Sequence, residues 1–118
     1  MNAWKEAHER LCNGADPTGA AIAARLVKAG WHSDRILKNF VTRMYGPNHA
    51  TIWICVDVKT PAYWLNATYV SEGRNALGAS HVAFAPLPSE SELAAKLSLF
   101  LADAERKING TFAMRFLA

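Results

Sequence analysis

Apolar residues recur at spacings of three and four in the first third of this chain, at two in the middle, and at three and four again after position 89. Residues 2–12 make a short helical segment with Trp4, Ala7 and Leu11 on one side, stopped by Asn13-Gly14. Asp16-Pro17 opens a second helix, because the carboxylate can cap it and the proline has no amide hydrogen to leave unpaired. Gly19, Ile22, Ala23, Leu26, Val27 and Gly30 follow along its inner side, with Arg25 and Lys28 opposite. Ser33 is placed to cap a third helix with an inner stripe of Ile36, Leu37, Phe40, Val41 and Met44. Arg35, Lys38 and Thr42 point away from that stripe, and Gly46-Pro47 closes it. Residues 17–46 therefore predict a basic helical pair joined by a turn at Trp31-His32.

From position 51 the period is two. Ile52, Ile54, Val56 and Val58 alternate with Trp53, Cys55 and Asp57, and apolar groups on both faces predict a central strand ended by Thr60-Pro61. Residues 63–70 and 80–85 read as further strands, the last with Val82 and Phe84 inward, around a loop at 73–78 that holds Arg74-Asn75. After Pro86-Leu87-Pro88, Ser89 and Glu92 match a capping box. Leu93, Leu97, Phe100, Leu101, Ala104 and Ile108 then form the core stripe of the longest helix, which Asn109-Gly110 should cap. Ala95, Leu99 and Ala102 make a second apolar strip on that helix, suited to the C-terminal segment or to a partner helix, with packing inside the chain the preferred use. The apolar tail 111–118 reads as a fourth strand reached by a helical crossover, or as a segment held by a partner. The predicted fold is α+β: three N-terminal helices, a three-stranded antiparallel meander, a long helix and a C-terminal strand. It is one domain over 1–118, with a helical part at 1–46 and a sheet-plus-helix part at 50–118.

Length and composition fit that picture. At 118 residues, 51% hydrophobic and 19% charged, the chain can build a core without metal or disulfide staples. Cys12 and Cys55 have no metal-knuckle spacing, and with a charged start at Lys5-Glu6 in place of a secretory segment they read as reduced, buried thiols in a cytoplasmic protein. On the same ground Asn66-Ala67-Thr68 and Asn109-Gly110-Thr111 are chance matches to the glycosylation pattern. No apolar stretch is long enough to span a membrane.

Charge changes the picture more. The formal net charge is +3, and nearly all of the excess lies in 17–46, where Arg25, Lys28, Arg35, Lys38 and Arg43 face one acid, Asp34. Such a concentration calls for an acidic counterpart. As a DNA-reading helix-turn-helix the segment fits poorly, since Arg25 and Asn39 fall where apolar residues belong and Leu26 where a small one does. Cys55, Asp57 and His81 are the raw material of nucleophilic catalysis but lie on strands that need not be neighbours. His8, His32, His49 and His81 show no metal-ligand spacing, so no metal or cofactor is called for.

The leading reading is a non-catalytic interaction protein, of inhibitor, immunity or regulatory type. It would bind an acidic protein surface through Arg25, Lys28, Trp31, Arg35, Lys38, Arg43 and Tyr45. The second reading places the same cations on nucleic-acid phosphates. The third is a small enzyme with a Cys55/His81 site. A homodimer through helix 89–108 or the C-terminal segment is compatible with the first two.

Overall fold

A computed structural model describes residues 3–45, 48–59, 62–71, 74–75 and 80–117, with side chains for these except 48, 70, 71, 74, 75, 80, 81 and 109–117. Two helices come first, α1 (Ala3–Asn13) and α2 (Pro17–Lys28). Asp16 caps α2, its Oδ1 accepting from Gly19 N at 2.9 Å, and its Oδ2 accepts from the Tyr63 hydroxyl at 2.5 Å. A Cβ on Gly19 would press on Leu11 Cδ1 and force that side chain to shift, so glycine eases the close approach of the two helices. The chain leaves α2 at Gly30 and buries Trp31 at 2% exposure.

The expected third helix does not form. Residues 32–45 make a two-residue strand β1 (His32–Ser33), a loop, and a strand β2 (Phe40–Tyr45). Of the supposed inner stripe only Val41 is fully buried, while Ile36 and Met44 are 82% and 60% exposed. The apolar residues of this stretch fit either period, and pairing with the long neighbouring strand decides between them, as tertiary context does when local preference is weak. Two backbone links fix the loop: Lys38 N donates to Cys12 O at 2.8 Å and Ile54 N to Asn39 O at 2.9 Å. Asn39, 1% exposed, adds a bond from Nδ2 to Ile54 O at 3.0 Å.

β3 (Asn48–Asp57) and β4 (Ala62–Ser71) form the centre of an antiparallel sheet that continues to β5 (Arg74–Asn75) and β6 (Ser80–Phe84). The order is β1-β2-β3-β4-β5, with β6 also on β4, so the expected three-stranded meander is widened by the segment read as a helix. The expected turns at Gly46-Pro47 and Thr60-Pro61, Glu72-Gly73, and the rest of the predicted loop as far as Gly78 lie outside the described residues.

α3 (Glu90–Leu117) starts as the capping box requires, with Glu92 N donating to Ser89 Oγ at 3.2 Å. It does not stop at Asn109-Gly110 and runs on to Leu117 in place of the predicted fourth strand. A glycine inside a helix costs about 1 kcal/mol against alanine, a weak terminator that a 28-residue helix absorbs. One core unites the elements. Leu11, Ile22, Leu26 and Trp31 meet Val41, Ile52, Ile54, Leu65 and Phe84 of the sheet and Leu93, Leu97, Phe100, Ala104 and Ile108 of α3. No helix among the described residues is long and apolar enough to cross a membrane.

Candidate interaction surface

The register assigns every sheet residue to a face. Val41, Ala50, Ile52, Ile54, Tyr63, Leu65, Ala67 and Phe84 turn toward α2 and α3 and are buried. The opposite face is set by the pairs Phe40–Trp53, Thr42–Thr51, Met44–His49, Thr51–Thr68, Trp53–Asn66, Cys55–Trp64 and Asp57–Ala62. Among these residues Asp57, at the end of β3, is the one acid, and none is a lysine or arginine. Phe40 and Trp53 stack with ring centroids 4.2 Å apart, the Thr51 and Thr68 hydroxyls share a 2.7 Å hydrogen bond, and Trp64 is 45% exposed. Asn66, at the centre of the patch, has a buried Oδ1 with no donor among the described residues.

Parts of the sheet edge are engaged by the chain itself. Lys96 reaches from α3 to donate to Ala83 O of β6 at 3.0 Å, its ammonium also lying over the Phe84 ring. Beyond the start of β2, Asn39 holds Ile54 and α1 packs against β3. A lysine at a strand edge and short outer strands are ordinary defences against edge pairing.

The five cations do not share one face, as a helical pair would have required. Arg25 is ion-paired with Glu90 of α3, and Arg43 Nη1 lies 2.7 Å from Glu105 Oε1 and over the Tyr45 ring. Burial pushes the Tyr45 hydroxyl above its usual range, which keeps it neutral. Trp31 is core and its indole nitrogen has no acceptor among the described residues. Arg43, Tyr45 and Trp31 are thus committed inward.

Lys28 remains on α2, exposed, with Arg25 beside a groove of about 280 Å³ floored by Ala29, Ala94, Leu97 and Leu101. Arg35 and Lys38 stand exposed on the loop that leads into Phe40, with Ile36 between them. Asp34 shapes this loop, its Oδ2 accepting from Ile36 N at 3.0 Å and Leu37 N at 2.8 Å. Those two bonds hold its carboxyl below the ordinary aspartate range. The Lys38 stem lies over Gly14, where φ is +82° and a Cβ would meet Lys38 Cγ at 3.2 Å.

The enzyme candidates are not assembled. Cys55 is exposed rather than buried, and its register partner is Trp64, whereas His81 pairs with Asn66 across the far side of β4. The His81 side chain itself is outside the described residues. Desolvation raises the Cys55 thiol, with Cys12 adding to the effect, so it is a poorer nucleophile than a free cysteine at neutral pH. Cys12 Sγ lies 3.4 Å from His8 Nε2, and its thiol is raised as well, by burial and then by Glu9. Among the described residues no three His, Cys, Asp or Glu side chains converge as a metal site would need. Comparison with known protein families, characterised proteins and solved structures finds no match.

The sequence reading passed over Ile36, Met44, Phe40, Trp53 and Trp64 as surface residues. The usable signal was there in the central strands, where aromatic residues fall on both faces and no lysine or arginine falls on either.

Proposed function

We propose that this chain is a non-catalytic interaction protein whose partner covers the open face of the sheet and meets Arg35 and Lys38 at its rim. The observation that carries this reading is the contrast between that face and its border. Met44 and Trp64 supply exposed apolar area, the half-buried Phe40 and Trp53 adjoin it, and the 34–38 loop beside Phe40 supplies two cations and Ile36. An apolar centre within a polar rim, with aromatic residues enriched at the centre, is the usual anatomy of a protein contact. The cations favour a partner that is acidic where it meets the loop. Arg25 and Lys28 form a second, separate basic site at the α2–α3 groove.

Nucleic-acid binding asks for cations along one line of phosphates. Here Arg35 and Lys38 share a loop, Arg25 and Lys28 share a helix, and Arg43 is engaged by Glu105. That spacing favours the protein partner.

Affinity isolation from the source organism tests the proposal, using the wild-type chain beside R35E/K38E and W64S. A partner retained by the wild type and lost by both variants, at an unchanged melting temperature, is the expected result. A partner set that neither variant alters overturns it. Retention on duplex DNA that falls steeply with salt would favour the phosphate reading.

A further inference from the structure

The long helix carries two stripes at the 3-4 spacing, and the core uses one of them. Leu93, Leu97, Phe100, Ala104 and Ile108 are buried against the sheet and α2. On the other side run Glu92, Ala95, Leu99, Ala102 and Arg106. Ala95 and Ala102 are exposed, and Leu99 is 75% exposed among the described residues. The C-terminal segment, a preferred occupant of this strip on sequence grounds, continues the helix to Leu117 and does not fold back over it.

The charges bordering this stripe are antisymmetric about Leu99. Glu92 stands seven residues before it and Arg106 seven after. The Arg106 side chain is 76% exposed and Glu92 39%. A two-fold axis beside Leu99, perpendicular to the helix, brings residues equidistant from it face to face on an antiparallel copy. Glu92 then meets the Arg106 position of the second helix, twice. A parallel arrangement would set Glu92 against Glu92 and Arg106 against Arg106. Ala95 and Ala102 let the backbones come close, and the two Leu99 side chains pack at the centre.

We propose that α3 forms an antiparallel two-fold contact with α3 of a second copy, centred on Leu99 and held in register by Glu92–Arg106 pairs between copies. The existing Glu92–Lys96 and Asp103–Arg106 pairs within one helix lie along the same border, so each joins a four-charge cluster when the copies meet. The contact is short, which makes it a concentration-dependent dimer and not a permanent one. It lies on the outward side of α3, away from the open sheet face, so neither proposal depends on the other.

Sedimentation equilibrium of the full chain, from low micromolar to near-millimolar concentration, tests this. The wild type should pass from monomer to dimer mass, with association weakening as salt rises. L99D should remain monomeric with an unchanged unfolding midpoint. E92R and R106E should each weaken association, and the double variant E92R/R106E should restore it, because the swapped charges again oppose one another. A monomer at every concentration overturns the proposal. So does a dimer indifferent to L99D, or a double variant no better than the singles. Should L99D fail to fold, the charge-swap series decides alone.

Discussion

On one face of the sheet Ile52, Ile54, Leu65 and Phe84 are closed off by α2 and α3, while on the other Trp64 and Met44 stand 45% and 60% exposed. Both faces are rich in apolar side chains. Antiparallel sheets with one solvated face usually alternate hydrophobic and polar residues, and that alternation, kept at Thr42, Thr51, Asn66 and Thr68, is broken here at Phe40, Met44, Trp53 and Trp64. What separates the faces is the helices laid over one of them. Apolar area on the covered face is already used for folding. The same kind of area on the other face contributes less to folding, which makes it available for a partner. At the edges, Lys96 engages Ala83 O of β6 and Asn39 engages Ile54 O of β3.

The comparison breaks first if the covered face is not where stability resides. Ile52→Ala should lower the unfolding free energy by roughly 2–5 kcal/mol, the usual cost of truncating a fully buried aliphatic side chain. Denaturant titration of the two proteins at equal m-value measures it. A loss below about 1 kcal/mol would mean that the core is loosely packed and the distinction between faces is weak.

Tyr63 gives the next largest effect. Its hydroxyl donates to the buried Asp16 carboxylate, and Tyr63→Phe leaves Asp16 Oδ2 without that donor at a cost of about 1–3 kcal/mol. Burial, and then the bond to Asp16, push this phenol up to about 12 from 10.0. The folded protein therefore keeps the phenol protonated where the unfolded chain has begun to ionise. This contribution to stability is whole below pH 10 and is lost as the pH rises toward 12. In Tyr63→Phe the unfolding midpoint should lose this component of its alkaline decline; an identical decline in both proteins would place the titration elsewhere.

The covered face was legible in the sequence and the open one was not, for identifiable reasons. Capping residues act locally, so Asp16-Pro17 and Ser89 with Glu92 marked helix starts that the fold keeps. The alternation 52-54 marked β3, and Val82 and Phe84 fall opposite Leu65 and Tyr63 on the inner face. Residues 33–45 have no such local arbiter. Their apolar positions satisfy a helical period, Asp34 closes a turn that competes with the helix, and the deciding interaction is a ladder to residues 48–53, formed only once the chain has folded back. The error moved the functional reading with it. Arg35 and Lys38 leave the imagined helical face for a loop, and Arg43 joins Glu105, a residue distant in sequence. At the other end, Gly110 is compatible with a helix stop but does not impose one.

Arg43 also sharpens the comparison, because it is the cation that lies on the covered side. A double-mutant cycle on Arg43 and Glu105 should return a coupling of about 0.2–1 kcal/mol, since both side chains are partly solvated. Raised salt should reduce that coupling. A coupling near zero in low salt would return Arg43 to the pool of cations available to a partner.

The smallest expected change is the most telling. Trp64→Thr removes a large aromatic side chain from the middle of β4, yet threonine suits a strand and the position is open on one side. If the uncovered face is not needed for folding, the unfolding free energy should move by no more than about 0.5 kcal/mol, as surface substitutions commonly do. The same variant should lose whatever the wild type retains in affinity isolation, so that stability and binding part company at one residue. A loss of about 2 kcal/mol or more on titration would instead make Trp64 part of the core. The two faces would then be equivalent, and the argument for a partner on this one would fail.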